Sequence, residues 1–144
     1  MSFKIEIGKI PSSQDVEARF LELAGAAKSV YDDWLQDEDG FDEELGLGGI
    51  CQDIASKMTE VLDQAGVQAT ATIHSTIGEN HVFVVALLDD GVFEIDIPPH
   101  VYETGGGYVW KKKPDVVFDQ SVVSMMKIAE PMDEDTFYQN YSDS

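Results

Sequence analysis

The run Val82-Phe83-Val84-Val85-Ala86-Leu87-Leu88 is apolar at every position, and it constrains the fold of this chain more than any other feature. A short apolar run rich in β-branched residues and bounded by turn signals reads as a strand. Being apolar on both faces, it belongs in the middle of a sheet. The segments around it agree. Val67-Gln68-Ala69-Thr70-Ala71-Thr72-Ile73-His74 alternates as a half-buried strand does, Ile77-Gly78-Glu79-Asn80 reads as a turn, and His81 opens the central strand. Asp89-Asp90-Gly91 is a hairpin turn into Val92-Phe93-Glu94-Ile95-Asp96-Ile97, which Pro98-Pro99 stops.

Upstream the period lengthens. Val16, Phe20, Leu23, Ala27, Val30 and Trp34 recur at spacings of three and four, widened by Ala24 and Tyr31, which predicts one amphipathic helix over 14–36. Ser12, with Asp15 three residues later, caps its start. A second helix is predicted over 51–65 from Ile54, Ala55, Met58, Val61, Leu62 and Ala65, and Gly66 closes it. Residues 3–7 read as a short edge strand, and 116–118 and 122–128 as candidates for further strands. The acidic tail from Met132 to Ser144 either frays or forms a short helix. The expected fold class is α+β, with N-terminal helices packed on an antiparallel sheet, in one domain spanning 1–144.

Charge limits the partners. Nine Lys and Arg stand against 28 Asp and Glu, a formal net charge of -19. Such a surface repels nucleic acid and anionic membranes and favours a protein or peptide partner or substrate that is basic. Solubility and adaptation to high salt explain the same charge, as does mimicry of DNA toward a basic groove. No apolar run reaches the roughly 18 residues a spanning helix needs. The N-terminus lacks the pattern of a secretory signal, so a cytoplasmic location is expected.

Metal and cofactor motifs fail on inspection. Placing Gly40 at the sixth position of a calcium loop puts Leu35 first and Gly46 twelfth, where carboxylates are required. His74 and His81 lack the close spacing of a zinc pair, and Cys51 is the single cysteine. Gly105-Gly106-Gly107-Tyr108-Val109-Trp110 lacks the Gly-Lys-Ser/Thr of a phosphate loop. That segment is either a mobile loop whose Tyr108 and Trp110 wall a substrate cleft or a plain hairpin turn. Lys111-Lys112-Lys113 reads as a solvated face or an edge-strand guard. No metal and no cofactor are expected.

Cys51 opens the second helix after Gly48 and Gly49, which leave its approach open. Backbone N–H groups at a helix start favour a thiolate and receive an oxyanion. His81 follows at the start of the central strand, and Asp96 comes 15 residues later across a hairpin. That order supplies nucleophile, base and orienting carboxylate. The competing reading is a buried, inert thiol beside an ordinary histidine. The patterns Gly49-Ile50-Cys51, Asn80-His81-Val82 and Val92-Phe93-Glu94-Ile95-Asp96 resemble the core of the transglutaminase-like superfamily and the related papain-like fold, over about residues 45–100. The resemblance implies a catalytic Cys51, His81 and Asp96, a thioester on the cysteine, and acyl transfer: amide hydrolysis, deamidation or transamidation. Gln52 stands where many relatives carry an aromatic residue. It is a candidate oxyanion donor or helix cap, with Gly49 and Asn80 beside the same site. Asp53, Glu43 and Glu44 lie near in sequence, and their charge opposes a thiolate. The alternative from another class is a catalytically silent acidic binding protein of the same fold, with a DNA mimic as its extreme.

Overall fold

Gly66 is where the chain turns from helix to sheet. A computed structural model describes residues 10–36, 49–73, 82–106 and 109–141. Helix α3 runs from Gly49 to Gln64. It ends because Gly66 adopts φ +84, a left-handed conformation that costs glycine no Cβ clash. The Gly66 N–H then reaches the Asp63 carbonyl at 3.0 Å and the Val67 N–H reaches that of Leu62 at 2.9 Å. These two bonds are the Schellman pattern, and buried Val67 and Leu62 supply its apolar contact.

Strands β1 (Gln68–Ile73), β2 (Val82–Leu88) and β3 (Gly91–Asp96) follow, and β6 (Ser124–Ala129) completes what is, among the described residues, a four-stranded sheet in the order β1-β2-β3-β6. All three pairings are antiparallel. The central position expected of the apolar run is observed for β2. Alternation sorts the sheet into two faces. Val84, Ala86 and Leu88 of β2, with Phe93 and Ile95 of β3 and Ile97 just beyond it, pack against Leu23, Ala24 and Ala27 of helix α2 (Phe20–Gln36) and Ile54, Met58 and Leu62 of α3. Met58 and Leu62 are fully buried, which is worth about 2 kcal/mol each. Phe83, Val85, Leu87 and Val92 face the other way, onto Phe137 of helix α4 (Glu134–Tyr141). The acidic tail is therefore a docked helix over 134–141. A single aromatic residue at 0 % exposure, Phe137, anchors it.

Three expectations differ from what is observed. The predicted helix over 14–36 is two helices, α1 (Ser13–Glu17) and α2. At the break, the Arg19 N–H bonds the Val16 carbonyl three residues back, at 2.8 Å. Neither Pro nor Gly stands there. The Asp90 carboxylate in the β2–β3 turn accepts from the Ser13 N–H at 3.0 Å and from its hydroxyl at 2.5 Å, and the Asp89 N–H bonds the Pro11 carbonyl at 2.9 Å. The start of α1, with its Ser12–Asp15 capping box, is thus tied to the hairpin tip. Residues 116–118 pair with no strand among the described residues, although Val116 and Phe118 pack on the core and Val117 is 72 % exposed, the alternation that read as a strand. Residues 120–122 are a short 3-10 turn, so the last sheet strand starts at Ser124.

Strands β4 (Glu103–Gly106) and β5 (Val109–Lys112) pair antiparallel in a two-stranded sheet separate from the main one. It is joined to α2 through Tyr31, whose hydroxyl donates to the Lys113 carbonyl and whose ring lies 5.0 Å from that of Phe118. Burial raises the Tyr31 phenol above its ordinary value. The Lys113 ammonium donates to the His100 carbonyl at 2.5 Å. The expected strand at 3–7, the acidic segment from Asp37 and the turn at 77–80 lie outside the described residues.

Candidate functional site

Cys51 occupies the first turn of α3, two residues after its start at Gly49. It is buried to 6 % exposure. The reason is local: α3 buries Ile50, Ile54, Ala55 and Met58, and Cys51 lies at the edge of that stripe, where it meets the beginning of β2. There the Val82 N–H donates to the Cys51 sulfur at 3.5 Å. This contact is not legible in the sequence, since the donor is a backbone group that no side-chain pattern announces. Gln52 and Asp53, the next two residues, are exposed and point off the core.

Asp96 closes β3 and is half-buried. The β2–β3 register sets Val84 opposite Ile95, which brings Asp96 level with Phe83. By alternation Asp96 shares a face with Glu94 and Val92, whereas Ile95 and Ile97 face α2 and α3. Ser124 pairs with Asp96 across β6, and its hydroxyl donates to the Asp96 backbone carbonyl at 3.3 Å. Cys51 and Asp96 therefore lie at the same end of the sheet, where β2 begins and β3 ends, but on opposite faces of it. A triad carboxylate touches the imidazole and not the sulfur, so a direct Cys–Asp contact is not what the chemistry needs. Cys51, Glu94 and Asp96 each make at least one further interaction within the chain.

Of the other candidates, His81, Asn80 and Tyr108 lie outside the described residues. Trp110 stands in β5 opposite Gly105. Among the described residues, no group of three or more His, Cys, Asp or Glu is arranged to hold a metal ion. No described helix is long and apolar enough to cross a membrane. A cleft of about 570 Å³ lies at the opposite end of α3 from Cys51, lined by Asp15, Arg19, Glu22 and Gly66 among others. It is remote from the sulfur and plays no part in the site.

No family model, no curated protein and no solved structure matches this chain.

Proposed function

We propose that the protein is a cysteine-dependent acyl-transfer enzyme with a papain-like or transglutaminase-like core, acting by amide hydrolysis, deamidation or transamidation. The observation that carries the reading is the contact between Cys51 at a helix start and the amide that links His81 to Val82. In the reaction, the Cys51 sulfur attacks the carbonyl carbon of an amide. The C–N bond breaks, and the nitrogen leaves with a proton delivered by His81, giving a thioester. Water or an amine then adds to the thioester, gives its proton to His81, and releases the sulfur. The N–H groups of the first turn of α3 are the natural seat for the tetrahedral oxyanion, and Asp96 serves to orient His81. A basic protein or peptide suits the acidic surface as substrate.

A specific observation favours a second reading. The net charge of -19 fits an acidic binding protein that kept the fold and takes a basic partner, in the extreme as a DNA mimic. The thiol separates the two. With an active site, iodoacetamide alkylates Cys51 near neutral pH faster than a free model thiol of pKa about 8.5, and His81→Ala slows the reaction. Alkylation no faster than the model thiol, and unchanged by His81→Ala, sinks the enzyme reading. In a lysate, Cys51→Ala then abolishes any cleaved, deamidated or cross-linked product if the protein is an enzyme. If it is a binder, the captured partners stay the same and no product forms.

A further inference from the structure

Strand β6 is the edge of the sheet, and among the described residues it pairs with β3 alone. Four of its six residues (Ser124, Met126, Lys127 and Ile128) are exposed, with Met126 at 58 % and Ile128 at 37 %. An apolar edge is a template for pairing with another chain, and folds usually guard it with an outward lysine. Here a bulge opposite Val92 and Phe93 interrupts the ladder at Ile128, and the one lysine of the strand points elsewhere. The Lys127 stem lies over Gly91 of β3, its Cδ and Cε 3.2 and 2.7 Å from where a Cβ on Gly91 would stand. Its ammonium is held by the Glu130 carboxylate at 3.2 Å. The other edge, β1, is different: Gln68 to Ala71 are half-buried, and Tyr138 of α4 donates to the Gln68 side-chain oxygen at 2.7 Å.

Charge identifies the occupant. Beyond the C-terminal end of β6 stand Glu130, Asp133, Glu134 and Asp135, all exposed, and Glu94 lies across from Met126. A second copy of this chain would bring another net charge of -19 to the same edge. A basic strand is attracted to it instead. We propose that the edge of β6, open among the described residues, receives an extended segment of a partner protein, added antiparallel, whose N-terminal half carries Lys or Arg at alternate positions. Main-chain hydrogen bonds to β6 hold the segment, and Met126 and Ile128 pack against its apolar residues. The antiparallel sense continues that of the whole sheet and sets the segment's N-terminal half beside the acidic end of β6. This inference is independent of any role for Cys51.

The test uses fluorescence anisotropy with the full chain and a labelled peptide in which Lys alternates with Val in the first half and Thr with Val in the second. Binding is expected to weaken about tenfold between about 0.01 and 0.15 M salt. A peptide N-methylated at successive residues, which loses donors along both of its edges and cannot complete a ladder, is expected to bind at least about tenfold more weakly. Moving the Lys residues to the C-terminal half weakens binding as well. Met126→Lys restores an edge guard and is expected to lower affinity about tenfold. Leu21→Lys makes the same charge change at a 62 % exposed position of α2 and is expected to lower it by less than about twofold. Both positions are exposed, and unchanged far-ultraviolet circular dichroism verifies folding. Equal losses in the two variants, or full binding by the N-methylated peptide, overturn the proposal in favour of diffuse charge attraction. Sedimentation that shows a dimer abolished by Met126→Lys overturns it in favour of a second copy.

Discussion

Removing the Asp90 side chain cuts the tie between the hairpin tip and the start of α1. Asp90→Ala takes away the acceptor of the Ser13 N–H at 3.0 Å and of the Ser13 hydroxyl at 2.5 Å. The first of these satisfies one of the orphan donors of a helix start, so the loss resembles that of an N-cap, about 0.5–2 kcal/mol. The carboxylate is solvent-exposed, so water replaces part of what is lost, and about 1 kcal/mol is expected. In a chain of this size that lowers Tm by about 3 °C. The hydrogen bonds from Ser13 depress the Asp90 carboxyl below its ordinary value. Because the folded-state pKa is the lower one, the contribution is complete above the unfolded value of about 3.9 and is lost as pH falls through the folded value. Urea unfolding followed by circular dichroism therefore shows a midpoint gap between wild type and Asp90→Ala at neutral pH, and the gap closes in acid. Ser13→Ala in a double-mutant cycle isolates the coupling between the two residues. Equal midpoints at neutral pH, or a gap that ignores pH, refute the reasoning.

Gly91→Ala is expected to destabilise by more than about 2 kcal/mol. Gly91 holds φ +148, and a Cβ there meets the Ala129 carbonyl oxygen at 2.8 Å. Thermal unfolding measures the effect, and a Tm within about 1 °C of wild type contradicts it. Phe137→Ala is expected to cost about 3–5 kcal/mol, because the ring is fully buried beneath Phe83, Val85, Leu87 and Val92. Hydrogen exchange should then rise first in residues 134–141, and protection there equal to wild type argues against docking through this ring.

The sequence alone was enough for elements whose signal is local. Alternation and apolarity determined β2 and its central place, since a strand apolar on both sides must be covered on both. Helical periodicity determined the buried face of α3, and the glycine that tolerates positive φ determined its end. The placement of Cys51 at a helix start follows from the same pattern. Only the tertiary structure decided the rest. The break between α1 and α2 leaves no trace in the residues at 18 and 19, where neither Pro nor Gly stands, and the tie of Ser13 to Asp90, more than 70 positions away, is likewise a long-range contact. The docking of α4 centres on one fully buried ring, Phe137, with Met132, Tyr138 and Tyr141 half-buried beside it, too little apolar surface to stand out within an acidic tail. The face that Asp96 occupies follows from the hairpin register, and in a strand a shift of one residue exchanges the two faces. The Val82 N–H on the Cys51 sulfur arises where a strand start meets a helix start, a long-range packing outcome that neither segment encodes by itself.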